Sequence, residues 1–148
     1  MSTTTPAPLG GEHVDLLIGQ GWAFPARIDD HRIALARGSD DIEQAIRLIL
    51  LTNPGERPMR PTFGCGIHAL VFAPLDADTA GSLDRDVRTA LERWEPRITV
   101  EDVTAEVEPA AEGRLAVHLS YRVNATNSPR TLVVPFYTVP PVQEAALT

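Results

Sequence analysis

Two stretches of helical periodicity, followed by strand-like alternation, organise this 148-residue chain. Ile42, Ala45, Ile46, Ile49 and Leu50 recur at the three- and four-residue spacing that lines one face of a helix. Asp40, with Glu43 three residues on, resembles a capping box that opens this helix, and Pro54-Gly55 stops it. A second stripe, Ala80, Leu83, Val87, Ala90, Leu91 and Trp94, predicts another helix starting around Asp76–Thr79, where acids suit the positive end of the helix dipole. On its exposed side Asp84–Arg88 and Arg88–Glu92 can pair at i,i+4, each pair worth about 0.2–0.5 kcal/mol.

The period changes abruptly at Arg93-Trp94-Glu95-Pro96-Arg97-Ile98. Pro96 has no N–H to continue a helix, and it pushes Glu95 towards extended dihedrals. Beyond it Ile98 and Val100 share one strand face, whereas Val103, Ala105 and Val107 follow the opposite phase. A slip at Glu101-Asp102 restores a single buried face, so a β-bulge is expected there. After a turn at Pro109 to Gly113, Leu115, Val117, Leu119, Tyr121, Val123 and Ala125 alternate with polar or small residues. A last strand carries Leu132, Val134 and Phe136, and Pro135 within it cannot donate to a ladder, which suits a sheet edge. Upstream, Arg27-Ile28 and Ile33 to Ala36 flank a polar turn at Asp29-Asp30-His31-Arg32, which predicts a short hairpin. The architecture these elements predict is α+β: a mainly antiparallel sheet with two main helices packed on one face.

One domain over residues 14–137 accounts for these elements. Residues 1–13, rich in Thr, Pro and Gly, read as a flexible arm, and residues 138–148 as a flexible tail. Between the helices, residues 53–66 form a loop dense in Gly, Pro and Arg, and its three prolines make it stiff and shaped. A short apolar turn from Ile67 to Phe72 follows and ends at Pro74.

Composition then removes whole classes of function. The net charge of −7 argues against nonspecific nucleic-acid binding. All 13 basic residues are arginine, which excludes Schiff-base chemistry and a phosphate-loop lysine. Cys65 is the single cysteine, so an internal disulfide and a cysteine-based zinc site are both out, in keeping with a reducing compartment. Met1 to Pro6 offers no secretory signal, and no apolar run reaches membrane-spanning length.

The search for catalytic groups gives weak candidates. Glu92 and Glu95, with Asp84 or Asp86 nearby, could be imagined as a glycosidase carboxylate pair, which needs about 5–10 Å of separation. A solvated helix face explains them as well, because surface exposure is the ordinary state of acids. Cys65 lies between two glycines with His68 three residues on, but no nucleophile signature surrounds it, and a buried packing role fits a free cysteine better. His13, His31, His68 and His118 lack metal-ligand spacing, Gly19-Gln20-Gly21 is half a dinucleotide fingerprint, and no Gly-x-Ser-x-Gly is present. No catalytic residue, metal or cofactor is expected.

Binding features are better supported. Extended backbone puts Glu95 and Arg97 on one side of the chain, roughly 6–7 Å apart along the strand. That corner reads as a structural clamp, a catalytic pair or a docking point. Arg57 and Arg60 stand on the stiff loop, suited to carboxylates of a partner or of the protein itself. The last strand can accept another chain at its edge, or Pro135 can be there to block such pairing.

In this order the segments resemble the GPW/gene-25-like family of baseplate wedge proteins, found in contractile phage tails, type VI secretion systems and extracellular injection particles. The resemblance is carried by Gly21-Trp22-Ala23-Phe24-Pro25, Ile42 to Leu50 with Thr52-x-Pro54-Gly55-Glu56-Arg57, and Met59-Arg60-Pro61-x-Phe63-Gly64-Cys65-Gly66. Trp94-Glu95-Pro96-Arg97-Ile98, Tyr121-Arg122-Val123 and Leu132-Val133-Val134-Pro135-Phe136-Tyr137 complete it. It implies a structural component made in the bacterial cytoplasm and assembled, in several copies, into a sixfold baseplate. Its implied partners are wedge scaffold proteins, the sheath protein and inner tube or hub proteins, with neither nucleic acid nor membrane. The family's Glu-Pro-Arg signature falls on Glu95, Pro96 and Arg97 and implies docking to the wedge. Leu132, Val133, Val134, Phe136 and Tyr137 would template the first sheath ring by strand addition. An older family label, acidic lysozyme, supplies the alternative of a peptidoglycan-cleaving enzyme.

Overall fold

The computed structural model describes residues 18–23, 26–29, 31–70, 73–74, 76–107 and 114–137. The two expected tails, Phe24-Pro25, Val71-Phe72 and the turn at 109–113 lie outside the described residues. The chain divides into two compact units, one up to Ala45 and one from Ile46 on.

In the first unit β1 (Gln20–Trp22) pairs antiparallel with β4 (Leu35–Arg37), and β2 (Ile28–Asp29) with β3 (Arg32–Ile33). The second pair is the hairpin expected from the alternating apolar residues, and His31 makes its turn at φ 63°. Helix α1 (Gly38–Leu51) follows directly. It starts two residues before Asp40, because Gly38, at φ 56°, turns the chain and donates its N–H to Gly19 O at 3.1 Å. Asp40 and Asp41 therefore sit in the first turn, where they complement the dipole, and Asp40 is not the cap. Ile42, Ile46, Ile49 and Leu50 are buried as their spacing predicts.

The second unit is built on a three-stranded antiparallel sheet in the order β5 (Ile98–Val107), β6 (Arg114–Val123), β7 (Ser128–Tyr137). The register between β5 and β6 shifts between Val100 and Asp102, which is the expected bulge. Tyr121, Leu119, Val117, Val134 and Phe136 are buried, so the alternating residues of β6 and β7 share one core face. Along the chain the short helix α2 (Ile67–Leu70) and helix α3 (Ala77–Trp94) come between α1 and β5, and α3 packs along β5. Asp76 caps α3 by accepting the Thr79 N–H at 2.8 Å, and that bond holds its carboxyl below the usual carboxylate range.

Three expected positions differ. Ala80 is exposed although it continues the α3 stripe. An alanine has little area to bury and serves a helix through its propensity alone. Val107 is 55% exposed, at the end of β5. Ala125 lies past the end of β6, which stops at Val123 because Asn124 turns the chain, donating its N–H to Arg97 O and its side-chain amide to Pro96 O. The expected Asp84–Arg88 pair forms at 2.9 Å. Arg88 uses its remaining nitrogens on the carbonyls of Val100 and Glu101, both at 3.1 Å, in place of Glu92. A bulge leaves carbonyls outside the ladder, and a nearby guanidinium is the strongest donor available to them.

Candidate assembly surface

Three features named from the sequence can be located in the second unit: the Glu95-Pro96-Arg97 corner, the loop of residues 53–66 and the edge of the sheet. Glu95 ends α3, its N–H returning to Leu91 O at 2.8 Å. Its side chain is only 4% exposed, yet it keeps both oxygens engaged: Arg97 Nε donates to Oε1 at 2.6 Å and Arg97 Nη2 to Oε2 at 2.7 Å. A bidentate fork of this kind is the strong form of an ion pair. It ties the last turn of α3 to the first residues of β5, as a clamp would. The Arg97 side chain is 34% exposed and Pro96 is exposed, so the corner also has an outer side.

The loop of residues 53–66 is held at both ends. Gly55 donates to Pro61 O at 2.7 Å, and Cys65 donates to Thr52 O at 2.9 Å. Thr52, buried at the end of α1, bonds back to Leu48 O. Gly64 runs so close to this helix end that a Cβ there would overlap the Thr52 carbonyl, and its φ of 120° is glycine backbone. Neither Arg57 nor Arg60 pairs with a carboxylate among the described residues. Arg57 lies 4.4 Å above the Phe63 ring, and Arg60 lies 6.0 Å from the Trp94 centroid. The sequence reading missed this stacking and the third arginine in it, Arg93, 5.0 Å from Trp94. The available signal was Trp94 at the end of the α3 stripe, with an arginine beside it and a second aromatic in the loop.

The glycosidase reading fares poorly on geometry. Glu95 is clamped by Arg97, Asp84 is paired with Arg88, and Glu92 stands on the exposed side of α3. Among the described residues no three metal-ligating side chains converge. His68 Nε2 is 3.1 Å from Leu51 O and the ring packs edge-on to Phe136. His118 stands 3.7 Å from Glu106 on the polar face of β6.

Cys65 is 2% exposed, and burial pushes its thiol up from 9.0 to about 11, with the amides of Ile67 and Gly66 opposing the shift. It is the inert, packed kind of cysteine. The native protein is expected to react with iodoacetamide far more slowly at pH 8 than the urea-unfolded chain. The sign of its pH effect follows: the unfolded thiol ionises near pH 9 and the folded one near 11. Its contribution to stability is complete below pH 9 and is lost as the pH climbs towards 11, which denaturant titrations across that range would read.

The remaining candidates, Leu132 to Tyr137, form the second half of β7. Among the described residues β7 pairs with β6 alone, so its other side is a sheet edge. Leu132, Val134 and Phe136 point into the core, whereas Val133 is 42% exposed.

Several known proteins are similar to this chain in sequence or in fold. Baseplate protein W of Escherichia phage P2 is 31% identical over 100 residues, covering 65% of this chain and 82% of that protein. Baseplate wedge protein gp25 of Enterobacteria phage T4 is 30% identical over 66 residues, 45% of this chain, and the chain spans half the length of that relative. A solved structure from Geobacter sulfurreducens, described as a candidate tail lysozyme, is 49% identical with a TM-score of 0.63, covering 70% of this chain and 94% of that one. A chain of the anti-feeding prophage baseplate superposes with a TM-score of 0.70 at 26% identity, covering 76% of this chain and 90% of the other. The family described as baseplate wedge protein gp25 matches residues 36–128, and the chain belongs to it.

Proposed function

We propose that this chain is a structural part of the baseplate of a contractile tail or injection particle, docked on wedge scaffold proteins and offering β7 to the sheath. The observation that carries the sheath half is the side of β7 that pairs with no strand among the described residues. Pro129 and Pro135 are six residues apart, so their missing donors lie on the same side of the strand. Proline is tolerated where a strand's N–H side faces outward, which assigns the odd-numbered amides of β7 to the open edge. Thr131, Val133 and Tyr137 are then the donors left for an incoming strand, with Leu132, Val134 and Phe136 holding β7 in place from behind. Docking to the wedge falls to the exposed side of the corner, Pro96 and Arg97, with Glu95 setting the orientation of Arg97, and to Arg57 and Arg60 on the loop. Copies set around a sixfold axis add avidity, so a weak single contact suffices to start a polymer.

Proline substitutions test the strand-addition step. Val133→Pro removes an outward amide and leaves the β6–β7 ladder whole, so the fold is kept while sheath extension stops. Val134→Pro removes an inward amide, strands a β6 carbonyl and lowers stability by about 1–3 kcal/mol. Full-length sheaths on Val133→Pro baseplates, viewed by electron microscopy, would sink the template reading.

A second reading, peptidoglycan cleavage, draws on the description of the Geobacter structure. It gains no support from the carboxylates. Glu95 is buried with each oxygen accepting from Arg97, so its carboxylate faces its own guanidinium and not a site that a sugar could reach.

A further inference from the structure

Three arginines meet two aromatic rings where the loop of residues 53–66 passes the end of α3. Phe63 and Trp94 pack edge to face, with centroids 5.1 Å apart. Arg57 lies over the first ring, and Arg93 and Arg60 flank the second. All three guanidinium groups belong to exposed residues, and among the described residues none of them forms an ion pair. That is an unusual arrangement in a chain with twenty acids and a net charge of −7, which has carboxylates to spare. Stacking on a ring holds a guanidinium plane in place without using its N–H fork. The seat is therefore preorganised for carboxylates, and little side-chain entropy is lost when they arrive.

A notch of about 190 Å³ adjoins it, lined by Gly64, Cys65, Asp86, Thr89, Arg93 and Trp94 among others. An engineered cavity of about 150 Å³ holds a benzene ring, so this one has room for an aromatic side chain. Cys65, Ala90 and Trp94 give its lining apolar members. Asp86 and Thr89 add acceptors to its lining. Tyrosine matches both, with an apolar body and a polar hydrogen at the tip.

We infer that this seat binds an acidic segment of a partner protein, with a tyrosine in the notch and flanking carboxylates on Arg57, Arg60 and Arg93. The inference rests on the docking half of the function proposed above and names the chemistry of the docked partner. A nucleic acid fits less well: three cations make a short track, and the overall negative charge repels a long polyanion.

The test uses the whole chain carrying Trp22→Phe, so that Trp94 is the sole tryptophan reporter. The probe is the peptide Asp-Glu-Asp-Tyr-Glu-Asp-Glu. Its addition should change Trp94 fluorescence saturably. Affinity should fall about tenfold when the tyrosine is replaced by alanine, and by at least as much in the folded triple variant Arg57→Ala, Arg60→Ala, Arg93→Ala. Raising salt from about 50 to about 300 mM should also weaken it. No saturable change, equal binding to the triple variant, or tighter binding of a single-stranded oligonucleotide overturns the inference. Incorporation of the triple variant into baseplates separates the two layers. If the triple variant fails to incorporate and the chain with its three arginines intact does not bind the peptide, docking stands and the acidic-tyrosine partner is removed. Peptide binding with normal incorporation keeps the seat and removes its role in docking.

Discussion

Gly64→Ala is expected to cost about 2–6 kcal/mol of stability. Two terms add. Holding a residue with a side chain in glycine-only backbone costs about 1–3 kcal/mol, and forcing a new carbon against packed atoms costs about 1–3 more. The overlap is with the Thr52 carbonyl, which is backbone at the end of a buried helix and cannot rotate away. Cys65 donates to that same oxygen, so relief of the clash also breaks the bond that docks the loop. Two other glycines calibrate the result. Gly55 has φ 92° with nothing within 4 Å of a Cβ, so Gly55→Ala feels the backbone term alone. Gly81 lies in exposed α3 with nothing near it, and Gly81→Ala should stabilise by up to about 1 kcal/mol. Thermal unfolding followed by circular dichroism should therefore rank Gly81→Ala above the wild type, Gly55→Ala below it and Gly64→Ala lowest, down by about 10 °C. If Gly64→Ala falls no further than Gly55→Ala, the close approach to Thr52 carries no energy. The same substitution bears on assembly, because the displaced loop is the one that carries Arg57 and Arg60.

Repetition in the sequence made most of the framework legible. A stripe such as Ile42, Ile46, Ile49 and Leu50 states its helix face several times over, and β6 states its buried face at every second residue. The bulge was legible for the same reason: a change of phase between Val100 and Val103 has one economical geometric solution. Single positions were harder. Ala80 and Val107 fit the pattern but lie where exposure costs little. Gly64 reads as one more loop glycine until the Thr52 carbonyl is seen behind it. Arg57 and Arg60 were visible as cations on a stiff loop, but their partners are Phe63 and Trp94. Arg57 and Phe63 are six residues apart in the loop, but the contact of Arg60 with Trp94 joins the loop to a helix 34 residues on, and no local spacing encodes it. At the corner the sequence placed Glu95 and Arg97 side by side but did not show that Glu95 is buried, because burial of one glutamate has no periodicity.

That burial makes Arg97→Ala the sharpest test of the corner. Removing one partner of a buried pair strands the other charge and costs about 3–5 kcal/mol when both are fully enclosed. Glu95 is enclosed, but the Arg97 side chain is 34% exposed, so water takes over part of its role and about 1–3 kcal/mol is expected. Glu95→Gln should cost less, since an amide keeps one acceptor for the guanidinium and is cheaper to bury than an unpaired carboxylate. A clamp and a docking point both predict that Arg97→Ala assembles poorly, and stability alone cannot tell them apart. A compensated variant can. Gly81→Ala lies on α3 well away from the corner in sequence, and its gain should add to the loss at Arg97 almost independently. The gain, up to about 1 kcal/mol, offsets part of the loss, so if the corner serves the fold alone, Arg97→Ala with Gly81→Ala should recover incorporation into baseplates in step with the melting temperature it recovers. If Arg97 also meets the wedge, the compensated variant should fold well and still be left out of the particle. Arg97→Lys gives a further separation: it keeps the charge beside Glu95 but loses the planar fork. A partner that reads the fork will reject lysine at a melting temperature that a simple clamp would tolerate.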